Sequence, residues 1–440
     1  MNSPQSFNSV ANDSWENNPL APFFKGESMI RQQYQECPAY RINSLLKVIC
    51  KSQRLFANLP SILTGGEMTM RRFRKISVIA VFALILASPN FSHPDTSEGN
   101  EGDTKPGRGS SFGIIPIFGY APETKFVGGA AGIYTFRPSQ ESRPSSALLS
   151  ASFTQKKQYS LSLAPELYFR DGKYRIQSEG MGLLKSPELF YGIGDDTSDD
   201  AEESFTHQTV YFKVNFQRRV IEAMNVGVQY DFERTKMLEV EKGSLLAGGE
   251  IAGSDGGKNS GVGVLLNWDS RDNVFSATKG SFHQISYMIY RDFLGSEYEF
   301  SQYELNLRQY IPLRSSHTLA FQGILNSVTG DPPFHKLSLL GGQSMMRGHY
   351  MGRYRDRNMI AFQVEYRVLP VWWRFGLVGF LGVGDVSDDV KNFKLEDFKY
   401  SAGFGIRFQI MPEEGINLRI DQAFGEGAGG FRYINIGEAF

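Results

Sequence analysis

The sequence predicts an all-β protein: sixteen antiparallel strands closed into a transmembrane barrel, with a long sixth external loop. Three observations carry the barrel. From residue 111 onward, segments near the length of a tilted membrane strand alternate apolar and polar side chains with period two. An export signal precedes them. After residue 92 no apolar run approaches the roughly 20 residues a spanning helix needs, so any crossing must be made by strands, and in lipid a sheet has to close so that every backbone polar group is paired.

The elements follow in order. Residues 1–67 precede the export signal, hold both cysteines (Cys37 and Cys50) and show no sustained period. They are expected to be an untranslated or extended leader. Residues 68–92 form the signal peptide: Arg71, Arg72, Arg74 and Lys75 precede the apolar run 76–87, and Ala87, Ser88 and Ser92 supply a small-residue exit. Residues 93–110 are polar and acidic, with Gly and Pro, and read as a periplasmic linker. Strands are expected near 112–119, 126–136, 145–154, 159–169, 174–184, 205–218, 223–234, 261–268, 280–290, 298–311, 317–328, 358–369, 374–384, 400–411, 415–424 and 430–440.

The period is plainest in four of them. Ala402, Phe404, Ile406 and Phe408 alternate with Ser401, Gly403, Gly405 and Arg407, and Ile416, Leu418 and Ile420 with Asn417, Arg419 and Asp421. Ile360, Phe362, Val364 and Tyr366 alternate with Gln363, Glu365 and Arg367, and Tyr303, Leu305 and Leu307 with Glu304, Asn306 and Arg308. The apolar sets are expected to face lipid and the polar sets the lumen. An even strand number puts both termini on one side, the periplasm. The short connections FRDGKY, RVIEA, PLRSSH and MPEEG then fall inside, and the long ones at 185–204, 235–260, 329–357 and 385–399 outside.

Composition excludes several functions. Residues 93–440 contain no cysteine, and their 36 Lys and Arg stand against 42 Asp and Glu, a balance that argues against nucleic-acid binding. His207, His283, His317, His335 and His349 have no metal-ligand spacing, and no Ser-His-acid set stands out, so neither a metal, a cofactor nor an enzyme activity is expected. The acidic run 195–203 reads as a solvated loop, and GSDGGKNSG at 253–261 as a flexible one.

One stretch resists the pattern: GGQSMMRGHYMGRYRDRN, residues 341–358, places four arginines between two membrane strands. With Leu340 before it, it resembles the sixth extracellular loop of the BamA/TamA family of outer-membrane assembly barrels, here with the core Arg347-Gly348-His349-Tyr350. The segment WDSRDNVFSATKG is similar to that family's periplasmic turn, through Asp269, Arg271, Asp272 and Asn273. QVEYR at 363–367, the closing AFGEGAGGFRYINIGEAF and the early YAPETKFVGG match other parts in the right order. The resemblance implies that the loop folds back into the lumen and that its arginine meets acidic and aromatic residues on the next two strands. Those are Glu365, which the alternation turns inward, with Phe380 and Asp385 on the following strand. Gly382 stands where the family places an aspartate, which implies a single-pronged anchor. A loop outside the barrel, bridging acidic headgroups, is the alternative.

The family's substrate-capturing periplasmic domains have no counterpart between the signal peptide and the barrel, so a short form is expected, working alone or with a separate periplasmic partner. Two functions remain. The barrel assists insertion or translocation of nascent outer-membrane or secreted polypeptides, in contact with outer-membrane lipids, through a weak seam at its closing strand, marked by Gly430, Tyr433, Ile436 and Phe440. Alternatively it is a passive pore for small solutes, or a structural surface protein.

Overall fold

The computed structural model describes residues 110–136, 145–425 and 430–440. The leader, the signal peptide and the linker up to residue 109 therefore lie outside the described residues. Strands follow in chain order: β1 (Ser111–Ala121), β2 (Lys125–Phe136), β3 (Ser145–Thr154), β4 (Tyr159–Phe169), β5 (Tyr174–Phe190) and β6 (Glu203–Ile221). They continue with β7 (Met224–Val240), β8 (Gly256–Asp269), β9 (Gly280–Tyr290), β10 (Phe300–Arg314), β11 (His317–Gly330), β12 (Ser338–Leu340) and β13 (Tyr354–Asp356). The last are β14 (Asn358–Trp372), β15 (Phe375–Ser387), β16 (Lys399–Met411), β17 (Ile416–Gly425) and β18 (Phe431–Ile436). All but β12 and β13 join in one closed antiparallel barrel of sixteen strands, each beside its sequence neighbour, with β1 meeting β18.

Alternation decides the two faces. Tyr303, Leu307, Phe362, Tyr366, Phe404 and Ile406 are exposed, while Asn306, Arg308, Gln363, Glu365, Arg367 and Arg407 between them are buried. The barrel is thus apolar outside and polar inside, the reverse of a soluble sheet core. Outward aromatics gather at the ends of strands: Trp372, Trp373, Phe375 and Phe408 pack on one another near one rim, with Trp372 and Phe375 stacked at 6.1 Å. Tight turns at 170–173, 222–223, 315–316, 373–374 and 412–415 occupy one end, and the long connections 191–202, 241–255, 331–357 and 388–398 the other.

The structure extends several strands beyond the sequence expectation. β5, β6 and β7 run 17, 19 and 17 residues, and continue into polar segments where Lys185 reaches Glu239 at 3.5 Å. Polar and apolar side chains no longer sort by face there, because Phe190 and Phe205 turn into an apolar cluster at the rim, so the period that marks a strand disappears although the ladder continues. For the same reason residues 256–260, expected to be loop, are the start of strand β8, paired with β7. At the long-loop end Phe190 on β5 and Phe205 on β6 meet Leu246, Phe334 and Leu337 in an apolar cluster that draws two long connections onto the strand ends.

Two departures concern the site. The loop between β11 and β14 contains its own ladder, Ser338 opposite Asp356 and Leu340 opposite Tyr354. And the closing strand stops at Ile436: residues 437–440, expected to be its continuation, leave the sheet.

Candidate functional site

The loop after β11 enters the barrel because its backbone is built to turn there. Gly341, Gly342 and Gly348 have φ of 111°, 105° and 114°, a region open to glycine. At Gly348 a Cβ would strike the backbone of Phe424 and Gly425, so the loop lies directly on β17. That contact aims the preceding side chain, Arg347, at the inner wall.

Arg347 is 1% exposed. Its Nη2 donates to Glu365 on β14, its Nη1 donates to Asp421 on β17 at 2.6 Å, and its guanidinium lies 3.6 Å above the ring of Phe380 on β15. One planar fork thus meets two carboxylates and one aromatic face, the arrangement in which arginine outperforms lysine. The wall is cut to receive it. Gly403 stands opposite Phe380, where a Cβ would collide with the ring, and Gly405 stands opposite Asp421, where one would collide with the carboxylate.

The network extends beyond the loop. Arg367 donates to the other oxygen of Glu365 at 2.7 Å, and Arg407 to the other oxygen of Asp421 at 2.6 Å. Arg407 also reaches Glu438 at 2.7 Å, and Asn417 donates to the same carboxylate at 2.8 Å. Arg419 donates to the backbone oxygen of Gln343 at 3.2 Å, with its Nε 3.6 Å from Asp421. Burying so many charges costs several kcal/mol each unless they are paired, so removing one member is expected to cost about 3–5 kcal/mol.

Glu365 and Phe380 therefore stand where the sequence reading placed them, and Asp385 does not. It lies five residues along β15 from Phe380, opposite Ile360, or on the order of 17 Å away at the rise of a strand. Its Oδ1 is buried without a partner. The anchor is two-pronged, not single, and its second acid is Asp421, three strands on from Glu365. The sequence carried a signal for it: Asp421 shares the inward parity of Asn417 and Arg419. What parity does not reveal is which inward acid stands at the height of the arginine.

The other loop residues do separate work. Tyr350 packs edge-on to Tyr191 at 6.3 Å, under the ammonium of Lys156 at 5.1 Å. A ring nitrogen of His349 is 3.0 Å from the Tyr400 carbonyl oxygen, and the ring lies against Tyr354, which is a packing role. Arg353 donates to Asp199 and Thr197 at 2.8 Å each, tying the loop to the 191–202 connection. Arg355 lies over the rings of Phe190 and Phe334 at 5.0 and 5.7 Å, and burial brings its guanidinium down to about 10.

At the opposite end the turn motif forms a hydrogen-bonded knot. Asp269 accepts from Arg271 Nε and Nη2 at 2.9 and 2.7 Å. Asp272 accepts from the Thr278 and Lys279 amides at 2.9 and 3.1 Å. Asn273 accepts from the Phe275 amide at 2.7 Å and donates to the Glu414 carbonyl at 3.0 Å, joining two turns. These contacts stiffen the rim.

The seam is the weak part of the wall. β17 and β18 pair from Leu418–Ile436 to Ala423–Phe431, but among the described residues β1 and β18 meet in register at one position, Tyr120 opposite Ile434. Gly430 has φ of 84°, and Tyr433 turns fully inward, accepting from the Gly348 amide at 3.2 Å. Beyond Ile436 the chain bends into the lumen. Phe440 packs with Ala277, Tyr310 and Ala320, and its carbonyl accepts from Arg367 at 2.9 Å. The expected strand 430–440 is shortened because Glu438 and Phe440 find buried cationic partners that lipid cannot offer. Among the described residues no group of three or more His, Cys, Asp or Glu is placed to hold a metal.

A family model described as the Omp85 superfamily domain matches residues 139–424. Among solved structures, BamA from Haemophilus ducreyi lacking POTRA domains 1–3 aligns with a TM-score of 0.54 at 16% identity, covering 74% of this chain and 70% of that one. CdiB from Acinetobacter baumannii aligns at 11% identity with a TM-score of 0.47, over 74% of this chain and 60% of its own. CdiB from Escherichia coli aligns at 10% with a TM-score of 0.49, over 73% and 62%. The likeness to the BamA barrel is one of fold. Among curated proteins none matches.

Proposed function

The chain belongs to the Omp85 superfamily, and on that premise we propose that it is an outer-membrane barrel that assists insertion or translocation of polypeptides. The observation that carries the reading is the seam. Along β1, residues 111–119 have no register partner on β18 among the described residues, while every other neighbouring pair of barrel strands is laddered over many positions. An unpaired strand edge inside a bilayer is costly, and an incoming strand supplies the missing hydrogen bonds by edge addition. Clients are therefore proposed to be extended, strand-forming segments of nascent outer-membrane or secreted proteins. A separate periplasmic partner would deliver them, with both barrel termini on the periplasmic side and the long connections outside.

A passive solute pore is the competing function. Loop 341–357 docked on the inner wall, with two long connections packed together over one end, argues against wide, ungated passage. The deciding experiment is a quantitative outer-membrane proteome with and without this gene. Depletion of a defined set of barrels or surface proteins at constant lipid content supports the assembly reading. An unchanged proteome with reduced small-solute uptake overturns it in favour of the pore.

A further inference from the structure

The docked loop touches both sides of the seam. On the β18 side, Gln343 Oε1 accepts from Asn435 Nδ2 at 2.9 Å, and the Gly348 amide donates to the Tyr433 hydroxyl at 3.2 Å. On the β1 side, the amide of Met351 donates to Glu123 Oε1 at 2.9 Å, and Glu123 sits in the three-residue turn that joins β1 to β2. Between these contacts the loop is held to the wall by Arg347. The segment 343–351 thus crosses the seam at its paired end, carrying bonds to each flank beside Tyr120 and Ile434, the single register pair of β1 and β18 among the described residues.

We propose that residues 343–351 act as a strap across the seam, with Glu123 as the positioning residue on the β1 flank and Tyr433 and Asn435 as its counterparts on the β18 flank. The strap acts from the lumen, so it holds the two edges in place without occupying the β1 edge that an incoming strand would pair with. Release of either anchor frees one flank to swing while the Arg347 network keeps the loop docked. This extends the reading of the seam as the working part of the barrel and rests on it.

The seam is read by the rate of disulfide formation between Tyr120→Cys and Ile434→Cys, the register partners, in the full chain with Cys37 and Cys50 changed to serine. Glu123→Ala is expected to slow cross-linking about tenfold, the scale of one charge-assisted hydrogen bond lost. Glu123→Gln, which keeps a side-chain acceptor, is expected to restore most of the rate. Tyr433→Phe with Asn435→Leu is expected to slow it similarly. Because the anchors act in series, combining both sets slows it no further. Cross-linking is scored only on the folded band of a heat-modified gel, and should Glu123→Ala leave none, the β18-flank variant carries the same test.

Unchanged rates overturn the strap, and so do effects that multiply, since independent packing contacts would behave that way. Client levels in the outer membrane of the same variants separate the two ideas. Altered cross-linking with unaltered clients leaves the strap standing and removes the assembly function. Unaltered cross-linking removes the strap and leaves that function to its own test.

Discussion

At the scale of single residues, the barrel interior is organised around carboxylates shared between guanidinia. Glu365 serves Arg347 and Arg367 through its two oxygens, and Asp421 serves Arg347 and Arg407 in the same way. Arg347→Glu would set three negative groups together, and is expected to lower the temperature at which the heat-modified band is lost, by a stability change of about 3–5 kcal/mol. An unchanged transition with Glu365 and Asp421 intact would remove the pairing from the account of stability. Asp385→Ala makes the contrast, because that buried carboxylate touches no loop arginine; the transition is expected to fall less than for Arg347→Glu, and an equal fall would remove the special weight given to the loop network. Arg347, Glu365 and Phe380 were legible in the sequence through the loop motif and through parity. Asp421 was legible only as an inward acid, since the height at which it stands depends on the stagger of three intervening strand pairings.

At the scale of elements, period two located the barrel strands where one face meets lipid and the other does not. It failed at the long-loop ends of β5 to β8, beyond the lipid, where polar and apolar residues no longer sort by face. It failed also for β12 and β13, three residues each, which are too short to show any period. The closing strand is the instructive case: its sequence reads as strand to Phe440, yet Arg407, Asn417 and Arg367 draw the last four residues into the lumen. The seam and the loop should therefore answer to element-level changes. Gly348→Ala forces a Cβ against β17 at a left-handed φ and is expected to undock the loop. Increased protease cleavage within 341–357 on intact cells would report it, and unchanged protection would show that the loop tolerates the shift. Locking β1 to β18 through the Tyr120→Cys and Ile434→Cys pair is expected to abolish complementation of a deletion strain, with recovery on adding reductant. Full complementation by the oxidised form would separate function from the seam.

At the scale of the whole molecule, the loop decides whether a barrel of this strand number behaves as a pore. In planar bilayers the intact protein is expected to show small conductance, and a variant lacking residues 341–351 a several-fold larger one, because sixteen strands suffice for an aqueous channel. Equal conductances would mean that the loop does not set passage. The sequence by itself determined the class, the strand order, the two faces and the identity of the loop arginine, because period, parity and local motifs are properties of adjacent residues. Only the tertiary structure decided that Asp421 completes the anchor, that Glu438 and Phe440 leave the sheet, and that Glu123 and Tyr433 hold one loop from opposite flanks of a seam. Each of those depends on barrel closure, which brings the two ends of the strand order to one place and lets buried charges choose partners that no spacing along the chain reveals.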